Sequence, residues 1–142
     1  ARDEELIDQS IAFFDLTPLQ GRYLDELSGG QRQRAYVAMV LCQDTDYLLL
    51  DEPLNNLDMR HAVVMMQHLR RAADELGRTI VIVLHDINFA GHYADHICVM
   101  KDGAVEEFGS PDEILRDDLL SRVFETPVTC IDGPQGRLAV YY

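Results

Sequence analysis

Asp51 and Glu52 stand side by side after the apolar run Tyr47-Leu48-Leu49-Leu50, twenty residues beyond the end of the pentapeptide Leu27-Ser28-Gly29-Gly30-Gln31. Adjacent carboxylates at the tip of a buried strand suit a magnesium ion and an attacking water. Asp51 can hold the metal, directly or through water, and Glu52 can orient or deprotonate the water. An acidic strand-to-loop turn would use the same two residues. The Ser28-Gly29-Gly30 turn suits a phosphate. Two glycines let the backbone approach an anion, and the helix beyond offers unpaired N–H groups and a favourable dipole. A capped helix after a glycine turn is the alternative. His85 follows a second apolar run, Thr79-Ile80-Val81-Ile82-Val83-Leu84, and so lies at another strand's carboxyl end. A histidine there can bond a terminal phosphate and an attacking water, or serve as a satisfied structural residue.

These residues need elements to hold them. Residues 3–15 read as a helix with Leu6, Ile7, Ile11 and Phe14 on one side, interrupted by Thr17-Pro18 and Gly21. Ser28 is placed to N-cap a second helix carrying Ala35, Ala38, Met39 and Leu41. After the strand 47–50, a helix over 59–76 carries Ala62, Met66, Leu69, Ala73 and Leu76 in steps of four and three, and Gly77 ends it. The run 79–84 reads as a strand buried on both faces of a parallel sheet. Then come a short helix over 87–94, a strand 97–100, an Asp102-Gly103 hairpin into 104–108, helices from Ser110-Pro111 and over 119–125, and a final hairpin around 132–136. Strands alternating with helices define an α/β layered sheet whose ligand crevice lies at the strands' carboxyl ends. The expected organisation is a small helical portion, 1–43, and a core portion, 44–142.

Composition narrows the partners. Twelve basic residues against 25 acidic ones leave a net charge of −13, which repels a nucleic acid over most of the surface. No apolar run reaches the length of a membrane span, and the acidic start has no signal-peptide core. The three cysteines, Cys42, Cys98 and Cys130, form no Cys-x-x-Cys pair and read as buried reduced thiols. His61 and His68, seven apart on the long helix, read as surface residues. The Met65-Met66 pair reads as core filler. His92 and His96 have a spacing that could place two ligands on one helix face, but the strand beginning at Ile97 argues that the helix ends first. Arg32, Arg34, Arg70, Arg71 and Arg78 could form a basic face, with solvated helix surface as the default.

In this order, Leu27-Ser28-Gly29-Gly30-Gln31, Leu48-Leu49-Leu50-Asp51-Glu52-Pro53, Asn56-Leu57-Asp58 and His85-Asp86 resemble the ATP-binding subunits of ABC transporters. The matching elements are the signature motif, the Walker B strand with its catalytic Glu, the D-loop and the switch His. The resemblance covers essentially the whole chain. Within the family, Ser28 to Ala35, Leu54 to Met59, His85 to Ala90 and the tail Ala139-Val140-Tyr141-Tyr142 look most like importers of ferric siderophores, with heme and cobalamin importers close by.

The resemblance implies two subunits that sandwich two ATP molecules head to tail. Ser28, Gly29, Gly30 and Gln31 of one subunit would contact ATP held by the other, and Asp58 would link the two sites. Asp51 would help bind magnesium, Glu52 would act as general base, and His85 would contact the γ-phosphate. The partners implied are a second ATPase subunit and membrane permease subunits, at the cytoplasmic face of the membrane, with no nucleic acid. The other readings are an ABC-type ATPase lobe working on DNA or the ribosome, and a non-catalytic half-subunit that lends Ser28 to Gln31 to a partner.

The family also uses Gly-x-x-Gly-x-Gly-Lys-Ser/Thr to cradle phosphates. The sole lysine, Lys101, sits between Met100 and Asp102 and does not match it. The expectation is therefore a C-terminal portion of a P-loop NTPase of the ABC type, inactive by itself and without tight ATP binding. In the related fold the strand feeding that loop lies beside the His85 strand. The isolated chain is expected to pack the resulting open edge against another copy, or to distort there.

Overall fold

The computed structural model describes residues 2–142. They form two compact units, the first ending at Val83 and the second running Leu84–Tyr142.

In the first unit, α1 (Arg2–Phe13) leads through single 3-10 turns at Thr17–Leu19 and Leu24–Glu26 into α2 (Gly29–Leu41). Strand β1 (Tyr47–Asp51), helix α3 (Met59–Leu76) and strand β2 (Thr79–Val83) follow. α3 starts and stops where its caps dictate. Asp58 accepts from His61 N, and Gly77 closes the helix in a left-handed conformation that costs glycine nothing. β1 and β2 pair in parallel, from Tyr47 opposite Thr79 to Asp51 opposite Val83, so the two strands end together. Leu48 and Leu50 are buried, as are Phe14, Val37, Met65 and Leu69.

Three expectations change here. On α3, Ala62, Met66 and Leu69 are buried as expected and are joined by Met65, His68 and Ala72, while Ala73 is half-buried and Leu76 is exposed. His68 is therefore not a surface residue. Only 5% of it is accessible, its ring stacks on Phe14 at 5.3 Å, and its two nitrogens reach Val64 O and Asp15 Oδ2. Strand β2 is not buried on both faces either: Val81 and Val83 are 53% and 47% exposed. β1 lies along one edge of β2, and Leu48 and Leu50 of β1 are buried on one face of the pair. Tyr47, Leu49 and Val81 share the other face and are exposed.

In the second unit, α4 (Ile87–Tyr93) precedes the hairpin β3 (Ile97–Lys101) and β4 (Ala104–Gly109). Asp102 and Gly103 both have positive φ, as a two-residue primed turn requires. Ser110 caps α5 (Pro111–Ile114) in a reciprocal box with Glu113. Helix α6 (Asp117–Phe124) and the hairpin β5 (Thr129–Gly133) and β6 (Gly136–Val140) complete it. Ile97, Val99, Ile114, Leu115, Leu119 and Leu120 form the core of this unit. The α/β class holds, with parallel pairing confined to β1 and β2 in the first unit and two antiparallel hairpins in the second. Cys98 departs from the expected buried thiol: it faces outward on β3, while Cys42 and Cys130 are half-buried, and all three are free. His92 lies within α4, which ends at Tyr93, and His96 stacks on Phe108 just before β3.

Candidate functional site

The signature turn is built by reciprocal capping. Ser28 Oγ accepts from Gln31 N at 3.3 Å, and Gln31 Oε1 accepts from Ser28 N at 3.0 Å. Each of these side chains thus meets a backbone donor of the turn. Accepting that bond leaves the Ser28 hydroxyl its own proton to donate. Ser28 and Gly29 are exposed, and the first N–H groups of α2 have no intrahelical partner. Arg32 fastens the approach to the turn, its Nε donating to Leu24 O at 2.9 Å. Arg34 reaches Phe14 O, Arg71 pairs with Glu75 and lies over the Phe13 ring, and Arg78 pairs with Asp44. These arginines are committed one by one, not pooled into a basic face.

Asp51 is the last residue of β1 and is exposed, opposite Val83 across the parallel pair. Glu52 follows with φ of 49°, a left-handed conformation unusual for a residue with a side chain. A turn closes after it, Asn55 N donating to Glu52 O at 3.1 Å. The Asn55 side-chain amide also donates to Glu52 Oε2, so the carboxylate is held from within its own turn. Sequence reasoning gave Asn55 no role. The sign available was an asparagine three residues past the carboxylate, across a proline.

Asp58 ends the same loop. Its Oδ1 accepts from His61 N at 2.9 Å and lies 2.8 Å from His61 Nδ1. These two bonds, the backbone one first, hold the Asp58 carboxyl below the usual carboxylate range. The His61 ring also lies against Gly30 of the signature turn. A β-carbon on Gly30 would sit 2.4 Å from His61 Cδ2. The first unit therefore joins Gly30 to Asp58 through one side chain.

His85 is exposed in the second unit, two residues past the end of β2. Asp86 after it caps α4, its Oδ1 accepting from Asn88 N at 2.8 Å and Phe89 N at 3.2 Å. The helix start thereby sets where the chain at His85 turns.

By fold, the chain is part of a P-loop NTPase core of the ABC ATPase type. In 84% of its length it superposes on CbiO1 of Clostridium perfringens, part of the ABC transporter complex CbiONQ, with a TM-score of 0.75, 33% identity and 47% of that chain covered. An ABC transporter family model matches residues 2–55, which takes in the signature turn, Asp51 and Glu52. The petrobactin import ATP-binding protein FatE of Bacillus anthracis is 63% identical over 139 residues, covering 98% of this chain and 56% of that protein. The petrobactin import ATP-binding protein YclP of Bacillus subtilis is 49% identical, covering 96% and 54%. The chain belongs to the ABC-transporter ATP-binding family, and within it is most like the ATPases of siderophore importers. It spans about half the length of the curated relatives it matches.

Proposed function

We propose that this chain works as part of the ATP-hydrolysing subunit that powers an ABC importer, one that takes up iron–siderophore complexes. The observation that carries the reading is the build of the first unit. A reciprocally capped Ser-Gly-Gly helix start and a strand-end Asp-Glu pair stand in one chain whose relatives are petrobactin import ATP-binding proteins.

In this reading residues 1–43 belong to a helical subdomain and 44–142 to the catalytic core. Ser28, Gly29, Gly30 and Gln31 present a hydroxyl and backbone N–H groups to the phosphates of ATP bound by a second ATPase subunit. Asp58 faces the junction between the two subunits. Glu52, oriented by Asn55, takes the proton from the attacking water, and His85 donates to the γ-phosphate. Asp51 is a hard oxygen donor exposed at a strand end, and no three His, Cys, Asp or Glu among the described residues close into a cage. That set fits magnesium, which is commonly held by one or two carboxylates together with substrate phosphates. When bound, magnesium neutralises charge on the phosphates, and Asp51 is the residue that would hold it. The subunit docks on permease subunits at the cytoplasmic face of the membrane. None of its described helices is long and apolar enough to cross a membrane.

The test is uptake of labelled ferric siderophore by cells whose only importer ATPase is the complete protein. Ser28→Arg is expected to abolish uptake while the protein still accumulates. Undiminished uptake contradicts the reading. Uptake of heme or cobalamin in place of the siderophore would keep the ATPase and change the cargo.

A further inference from the structure

We propose that His61 is a positioning residue that clamps the signature turn to the D-loop, and that Gly30 is glycine because His61 occupies the space of its β-carbon. The inference rests on the reading of Gly30 and Asp58 as residues of the ATP sites.

Gly30 does not need glycine for its backbone. It lies within α2 and is not among the residues with positive φ. What forbids a side chain is the close approach. A β-carbon there would lie 2.4 Å from His61 Cδ2, 2.7 Å from Cγ and 3.1 Å from Nε2. Cγ is next to the root of the side chain, so the ring could not yield by flexing only its tip. The ring is also held from the other side, with Nδ1 2.8 Å from Asp58 Oδ1. Asp58 in turn is fixed by capping α3 through His61 N. One imidazole therefore touches the second glycine of the signature turn with its carbon edge and the D-loop carboxylate with its nitrogen. Moving either partner moves the other. By contrast, a β-carbon on Gly29 would meet no atom within 4 Å, so that position is free of this constraint. His68, one heptad further along α3, packs on Phe14 and takes no part.

The clamp makes a prediction of sign. Glycine to alanine within a helix ordinarily stabilises. With His61 present, Gly30→Ala is expected to lower the melting temperature of the 142-residue chain by about 3 °C or more. In the His61→Ala background, where the space is open, the same change is expected to raise it by about 2 °C or more. The same sign in both backgrounds overturns the clamp. A second arm reads function in the complete protein. His61→Ala is expected to cut ATP turnover by about tenfold or more through misplacement. His61→Asn, whose amide can reach Asp58 as Nδ1 does, is expected to recover part of it. Turnover in His61→Ala equal to wild type overturns the positioning role. If the wild-type protein turns over no ATP, the proposed function fails, and the melting arm still decides whether the clamp exists.

Discussion

Asn55 donates its side-chain amide to Glu52 Oε2 across the turn that ends β1. The bond fixes the carboxylate of a residue whose own backbone is in the left-handed region. In its proposed role of general base, Glu52 works only where it can reach its proton, so the hydrogen bond that aims it matters as much as its identity. Asn55→Ala is expected to lower kcat for ATP about tenfold with KM little changed, because Glu52 stays but swings. Asn55→Asp should be worse, since it sets a second negative charge against Glu52. Steady-state ATPase kinetics of the complete protein check both. A raised KM at unchanged kcat would instead make Asn55 a binding residue.

Ser28 caps α2, its hydroxyl oxygen accepting from Gln31 N. Ser28→Ala should destabilise the 142-residue chain by about 1 kcal/mol, and Ser28→Gly by only a few tenths. Ser28→Asp should hold stability in the absence of ATP while abolishing turnover, because it keeps the cap acceptor and sets a negative charge where a phosphate would come. Urea unfolding beside the ATPase assay separates the two roles.

Much of this architecture is legible in sequence. α3 spans 59–76 as its caps predict, because Asp58 and Gly77 act locally. The Ser28-x-x-Gln31 spacing likewise announces its own capping box. What failed to show were consequences of packing between elements distant along the chain. Leu76 continues the apolar step along α3 yet is exposed, and His68 breaks the pattern yet is buried. The face of a helix that meets its neighbours depends on where α1 and α2 lie, and periodicity alone does not say. His61 was hidden for the same reason: its partner Gly30 comes 31 residues earlier. The exposed face of β2 escaped because a β-branched apolar run reads the same whether or not anything covers it.

Arg78 ties the loop before β1 to the end of α3. Its Nη2 lies 2.5 Å from Asp44 Oδ1 and its Nη1 donates to Thr45 O at 2.9 Å, while Arg2 reaches the other Asp44 oxygen at 2.8 Å. Arg78, and then Arg2, hold the Asp44 carboxyl below the usual carboxylate range. A carboxyl lowered on folding adds stability above its unfolded pKa and loses it as pH falls through the folded value. Arg78→Met should therefore melt at lower temperature than wild type at pH 7. The gap should narrow below about pH 4, leaving the part due to the Thr45 bond. Melting curves between pH 7 and pH 2.5 check this, and a gap that stays constant with pH would assign the effect to the Thr45 bond and packing, with no share for the Asp44 ion pair.

ATP hydrolysis by the complete protein, wild type against Glu52→Gln, tests the central claim most directly. The amide keeps the shape of the side chain and removes the base. Turnover is expected to fall by about a hundredfold or more while ATP still binds. Turnover in Glu52→Gln equal to wild type would contradict the assignment of Glu52, and with it the account of this chain as part of an ATP-hydrolysing subunit.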